Sequence, residues 1–141
     1  MRWRGWAASW NSRFMRRFDK RMNFFREMKE MPFELDRLFQ KSDLIPVVVQ
    51  DWQSREVLMV GFTNREAVEL TLETKTAWFW SRSRGELWNK GGTSGNFLHV
   101  KKILTDCDTD TLLYLCKPDG PTCHTGARSC FFNLIWEENQ S

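Results

Sequence analysis

Residues 44–80 read LIPVVVQDWQSREVLMVGFTNREAVELTLETKTAWFW. Two short β-prone runs, Ile45 to Gln50 and Glu56 to Phe62, flank the turn-rich Asp51 to Arg55, a pattern that predicts a hairpin. A helix is then expected from about Asn64 to Glu73, with Thr63 and Glu66 at capping-box spacing. Further β-prone runs follow at Ala77 to Ser81, Phe97 to Leu104, Thr111 to Cys116 and Cys130 to Trp136. The Gly-rich stretch Gly85 to Asn96 reads as a long functional loop. The predicted class is α+β, a mostly antiparallel β-sheet core with one or two helices.

Upstream, the chemistry changes. Residues 1–43 carry 11 Lys/Arg and 6 Asp/Glu, and hold five of the six methionines but no cysteine or histidine. Phe14, Phe18, Met22, Phe25 and Met28 recur at steps of four and three, opposite Arg13, Arg17 and Lys20, which predicts an amphipathic helix over about residues 12–30. Its apolar face is expected to pack on the rest of the chain or on a second subunit; a membrane-surface or partner helix is the alternative. Five arginines and no acid in residues 1–18 also match an organelle transit peptide. The organisation expected is a basic helical extension, 1–43, before a domain over 44–141.

With 141 residues and 16.8 kDa the chain suffices for one modest core. Lys+Arg 21 against Asp+Glu 18 gives +3, too even a balance to demand nucleic acid. No apolar run approaches the roughly eighteen residues of a membrane span, and no secretory signal is evident, so a cytoplasmic protein is expected. There the four cysteines would serve as thiols, metal ligands or catalysts rather than a disulfide frame.

Three groups of residues carry chemistry. Asp106, Asp108 and Asp110 alternate with Cys107 and Thr109, so an extended backbone would line three carboxylates on one face and turn Cys107 to the other. Such hard oxygen donors suit Mg²⁺ or Ca²⁺, and the bland alternative is a solvated acidic strand end. An EF-hand is excluded, because Thr111 stands where its glycine is needed and Lys117 where its glutamate is needed. Cys107, Cys123 and Cys130, with His124 beside the second, are zinc-type donors lacking the tight C-x-x-C pairing. If His124 is the fourth ligand the site is closed and structural. If water is the fourth, zinc lowers that water's pKa toward roughly 7 and leaves His124 free as a base. Cys116, near the end of an apolar strand, reads as core.

The third group is the loop from Ser81 to Asn96. Its Arg82, Arg84, Lys90, Thr93 and Ser94 combine cations and hydroxyls with glycines that let a backbone approach phosphate. It is not a Walker A loop. Trp88 either stacks on a base or packs on the sheet. Together the three groups predict a metal-dependent enzyme for a small phosphorylated compound, with a nucleotide favoured.

The segments LIPVVVQD, VLMVGFTNREA, SRSRGELWNKG, TSGN, DCDTDTLL and CHTGARSCF stand in an order that resembles the phosphoribosyl-AMP cyclohydrolases of histidine biosynthesis over about Leu44 to Phe132. The resemblance implies hydrolytic opening of the N1–C6 bond of phosphoribosyl-AMP, giving the formimino imidazole carboxamide ribonucleotide. By motif it implies Cys107, Cys123 and Cys130 as zinc ligands, His124 as general base or proton shuttle, and Asp106, Asp108 and Asp110 as the Mg²⁺ site. It further implies an intertwined homodimer whose zinc site is shared between chains. The pyrophosphohydrolase domain fused in bifunctional relatives is not expected here, so another protein would perform the preceding step. A zinc deaminase would need H-x-E and P-C-x-x-C, which do not occur. The other class kept in view is a non-catalytic, zinc-stapled dimeric binding protein of the same fold.

One position departs from the family's pattern: Lys-Gly-Glu-Thr-Ser-Gly is usual, and here Gly92 replaces the acid. Restoring the carboxylate with Gly92→Glu is expected to keep or raise turnover of phosphoribosyl-AMP. A clear loss in a steady-state assay would mean that the loop has a different geometry.

Overall fold

The computed structural model describes residue 17 and residues 19–139. It divides into two compact units, Met1–Glu34 and Leu35–Ser141. In the first, residue 17 and residues 19–30 are helical (α1), ending before Pro32, whose ring disfavours helix at Met31. Met22 and Phe25 on the predicted apolar face are about half exposed, at 49% and 53%. The rest of the expected 12–30 helix, with Phe14 and Phe18, lies outside the described residues. Among the described residues no helix is long and apolar enough to cross a membrane.

The second unit opens with a 3-10 turn, Leu35–Phe39, and continues through β1 (Ile45–Asp51), β2 (Val57–Thr63), α2 (Arg65–Thr74), β3 (Trp78–Ser81), β4 (Glu86–Asn89), β5 (Leu98–Thr105) and β6 (Leu112–Pro118). Four strands form one sheet in the order β2-β1-β6-β5, and β3 and β4 form a separate hairpin. β1–β2 and β5–β6 are antiparallel, whereas the central pair β1–β6 is parallel, with Val47 opposite Leu112 and Asp51 opposite Cys116. The α+β class with mostly antiparallel pairing therefore holds.

Ile45, Val47 and Val49 bury alternate positions of β1, as the period of a strand requires. They share the core with Leu58, Leu112 and Tyr114. The Phe79 ring lies 6.3 Å from Tyr114 and 5.6 Å from Trp88, joining the hairpin to that core. Gly61 makes this possible, because a Cβ there would stand 2.7 Å from the Phe79 ring.

Four local expectations are corrected. The α2 cap is Asn64, whose Oδ1 accepts from the Ala67 amide at 2.9 Å; Thr63 is buried and its hydroxyl donates to the Asn64 carbonyl instead. The expected loop contains a strand, because Glu86–Asn89 pairs with Trp78–Ser81. Residues 106–110 form a turn rather than an extended run, with Thr109 at φ 60°. Cys130 to Trp136 is not a strand, since among the described residues no strand forms a ladder with it; an apolar β-prone run needs a ladder partner to become one.

Asp51 ties the hairpin turn to the C-terminal loop. Its Oδ1 accepts from the amides of Gln53 and Ser54 at 2.8 and 3.1 Å, and its Oδ2 from Arg128 at 3.0 Å. Burial pushes this carboxyl up, but the two amides and the guanidinium outweigh it and hold the pKa below the usual range. A depressed folded pKa stabilises fully above the unfolded value of about 3.9 and is lost as pH falls through the folded one. Asp51→Ala should therefore lose about 2 kcal/mol in urea unfolding at pH 7. The gap to wild type should narrow as the pH falls below about 4, and a pH-independent gap would rule out this carboxylate as its source.

Candidate active site

Two clusters sit at opposite ends of β6. Before it, the turn 106–111 is closed by the Asp106 amide donating to the Thr111 carbonyl at 3.2 Å. The Asp106 Oδ1 also accepts from the amides of Asp110 and Thr111 at 3.0 and 3.1 Å. This folding back gathers Asp106, Asp108 and Asp110, with one carboxylate oxygen of each within 4.8 Å of the others. Lys41 reaches in from before β1, its Nζ 3.4 Å from both Asp108 and Asp110 and donating to the Asp108 carbonyl at 3.3 Å. Desolvation raises Asp106, but hydrogen bonds with Asp108 and from the Asp110 and Thr111 amides outweigh it and hold the group low. Asp108 is pushed up by hydrogen bonding with Asp106 and Asp110 and by their charges. Three crowded carboxylates, with Asp106 held low and Asp108 pushed up, form a hard-oxygen set that a divalent cation would satisfy.

Beyond the other end of β6, residues 122–128 form a tight loop. The Thr122 amide donates to the Arg128 carbonyl at 3.2 Å and the Cys123 amide to Ala127 at 3.1 Å. Cys130 is fixed by its amide donating to Leu58 at 2.8 Å, so the thiols of Cys123 and Cys130 come within hydrogen-bonding reach of each other. The Thr125 hydroxyl donates to Cys123 Sγ at 3.1 Å and, with its amide, holds that thiol below the ordinary range. Burial and the neighbouring Cys123 push Cys130 up, while the Lys90 charge favours thiolate at both. A thiol pair with one member, Cys123, biased toward thiolate is a fitting half of a zinc site. His124 is exposed in the adjoining turn. Cys116, by contrast, is buried and its thiol is pushed up to about 12, as expected for core.

Cys107 does not join the pair. Apart from the three aspartates, no group of three or more His, Cys, Asp or Glu side chains gathers this closely among the described residues. The seven residues of β6 explain it, because a strand of that length spans about 20 Å.

Arg82 and Arg84 line a cleft of about 540 Å³ with Ser81, Ser83, Trp80 and Trp88. The Arg82 guanidinium stacks 3.7 Å above the Phe62 ring. Arg84 is steered by Glu86 at 3.4 Å, and its amide donates to the Ser81 hydroxyl at 3.3 Å. Lys90 lies with its Nζ 5.4 Å from the Trp88 ring, a tryptophan half-buried against Phe79. Thr93 and Ser94 are exposed, and the Ser94 hydroxyl accepts from the Asn96 amide at 3.2 Å.

Sequence reasoning missed three groups: Lys41 on the acidic turn, the Asp51–Arg128 pair, and His99, whose Nε2 lies 2.9 Å from Asp119. Asp51, Asp119 and Arg128 line a second cleft of about 440 Å³ beside the thiol loop. None of the three belongs to a recognisable local motif, since each is made by residues more than ten apart in sequence.

Residues 59–132 match the family model described as phosphoribosyl-AMP cyclohydrolase. A protein of that name from Clostridium botulinum (strain Kyoto / Type A2) is 55% identical over 114 residues, 81% of this chain and 99% of its own. Its namesake from Streptococcus thermophilus is 50% identical over 113 residues, 80% and 98% of the two chains. That of Cenarchaeum symbiosum is 54% identical over 98 residues, 69% and 91%. The longer matches exceed the stretch from Leu44 to Ser141, so the likeness reaches back before Leu44.

The loop that carries Lys90 depends on Gly91 more than on Gly92. At Gly91, φ is +96° and a Cβ would meet the Asn96 carbonyl at 2.6 Å; at exposed Gly92 the nearest atom, the Asn89 carbonyl oxygen, is 3.2 Å away. Gly91→Ala should cost about 2 kcal/mol or more, and Gly92→Glu less than about 1. Thermal unfolding of the two variants checks this, and equal losses would contradict the loop geometry.

Proposed function

The chain belongs to the phosphoribosyl-AMP cyclohydrolase family, and we propose that it opens the N1–C6 bond of phosphoribosyl-AMP by hydrolysis, as a step of histidine biosynthesis. The observation that carries this reading is the facing thiol pair Cys123 and Cys130, flanked by His124 and by the cation of Lys90. Cys107 from a second copy would complete a three-thiolate set for zinc, in a homodimer with two shared sites. Asp106, Asp108 and Asp110 would hold Mg²⁺. When bound, zinc supplies the Lewis acidity that makes water a competent nucleophile near neutral pH.

The chain's own residues account for the rest. Ribosylation at N1 draws density from the amidine, so C6 of the substrate accepts attack by hydroxide. His124, exposed next to Cys123, takes the proton of the attacking water at an imidazole nitrogen and delivers it to N1 as the C6–N1 bond breaks. Arg82 and Arg84 offer guanidinium forks to phosphate at the mouth of the aromatic cleft, and Trp80 or Trp88 offers a ring face to the purine. Lys90, Thr93 and Ser94, on the loop after Trp88, would add polar contacts to ribose and phosphate. Lys41 must yield its place on Asp108 and Asp110 when a divalent cation binds there.

The test is ring opening of phosphoribosyl-AMP, followed by ultraviolet absorbance, with zinc-replete protein and Mg²⁺ beside the same sample stripped by a zinc chelator. Turnover that the chelator abolishes is expected. His124→Ala should keep zinc and fold while lowering kcat by about 10²- to 10⁴-fold. Loss of zinc and fold in that variant would make His124 a structural ligand, and no turnover by the zinc-loaded wild type would favour a binding protein of the same fold.

A further inference from the structure

None of the described side chains of α1 is buried, and Met22 and Phe25 are about half exposed. A helix of so few turns is marginal in water unless something covers its apolar face. At roughly 100° per residue, Met22 and Met28 stand about 60° to either side of Phe25, so the three make one stripe. Arg21 and Lys29 stand about 40° to either side of Phe25, inside that stripe. The acids of the described helix, Asp19, Glu27 and Glu30, fall about 120° to 160° from Phe25, on the far side.

The two cations decide what can cover the stripe. Neither Arg21 nor Lys29 has a carboxylate within salt-bridge distance among the described residues. Pressed against an apolar protein face, they would be two unpaired charges in a dry contact, which costs more than burying the neighbouring Phe and Met side chains returns. A bilayer surface reverses that balance. There the apolar side chains enter the headgroup boundary while the long cationic ones extend to lipid phosphates. The acids, on the far side, stay in water away from the anionic headgroups. Residues 1–16 continue the composition, with four arginines, three tryptophans and no acid, and tryptophan favours the same boundary.

We propose that α1 lies along an anionic lipid surface with Phe25 toward the bilayer, and that it tethers the unit that follows to a membrane. A stripe of three apolar side chains is too small to bind a neutral bilayer firmly, so the attraction between its cations and anionic lipid has to act with it. The acids within α1 set it apart from an organelle transit peptide, which is acid-poor.

Cosedimentation of the full chain with vesicles tests the proposal, using phosphatidylcholine alone and an equal mixture with phosphatidylglycerol. Wild type should pellet with the mixture, stay in solution with phosphatidylcholine alone, and be released as salt is raised. Met22→Asp with Phe25→Asp should lower the partition coefficient by about 10-fold or more and leave ring opening of phosphoribosyl-AMP unchanged. Arg21→Glu should lower it by about 10-fold, and Lys20→Glu, the same change of charge about 140° from Phe25, by about 3-fold or less. Wild type that ignores the mixture or binds phosphatidylcholine equally well would overturn the proposal, and so would equal losses from Arg21→Glu and Lys20→Glu. Lost turnover in the double Asp variant would place the stripe against the catalytic unit instead. A smaller assembly of that variant without vesicles would place it against a second copy, and either result overturns the membrane reading.

Discussion

β6 is the constraint on which the rest of the molecule depends. It pairs with β1 on one side and β5 on the other, so its backbone is held along both edges. Leu112, Tyr114, Leu115 and Cys116 are all buried along it. A strand fixed in this way has a length set by the pleat, and that length keeps the acidic turn and the thiol loop apart. Each cluster is then closed locally: the aspartates by a turn onto their own amides, the thiols by the short pairing of residues 122–128.

Much of this was legible in the sequence, for reasons that can be named. β1 and β2 were readable because Ile45 to Gln50 and Glu56 to Phe62 are local runs with turn chemistry between them. The helix after them was readable because its start signal is local, although the residue that caps it is Asn64 and not the expected Thr63. The order of the motifs from Leu44 to Phe132 identified the family. The parallel pairing of β1 with β6 was not readable, since nothing in either strand says which neighbour it takes across sixty residues. Residues Cys130 to Trp136 have the composition of a strand but no ladder partner among the described residues, and composition cannot supply one. The DCDTD run reads as an alternating strand until Thr109 enters the left-handed region and folds it back. Lys41 escaped notice because a lone lysine before a strand carries no signal; only the fold brings it to Asp108 and Asp110.

The four thiols show how position, rather than residue type, assigns chemistry. Cys116 is surrounded by core, where a thiolate would be poorly solvated, and its raised pKa keeps it inert. Cys123 sits in a turn whose hydroxyl and amide stabilise negative sulfur. Cys130 is pushed the other way by burial and by Cys123, so the pair favours one negative charge before two unless a cation is near. Lys90 provides part of that cation's effect from a neighbouring loop, just as Lys41 does for the carboxylates. Both clusters are therefore built for positive charge, one with soft donors and one with hard.

That segregation bears on metal choice. Softer, more competitive ions bind most sites more tightly than Mg²⁺, so selectivity has to come from donor type and geometry. Cys107 lies in the middle of the acidic turn, where a single thiolate beside three carboxylates closes no tetrahedral sulfur set. The thiol pair at the far end of β6 is equally incomplete by itself. On the proposed reading, zinc is held tightly only where two copies bring these halves together, whereas the carboxylate set is complete within one chain. On the same reading the length of β6 would sort the two metals, making the hard site a property of the folded chain and the soft site a property of the assembled pair.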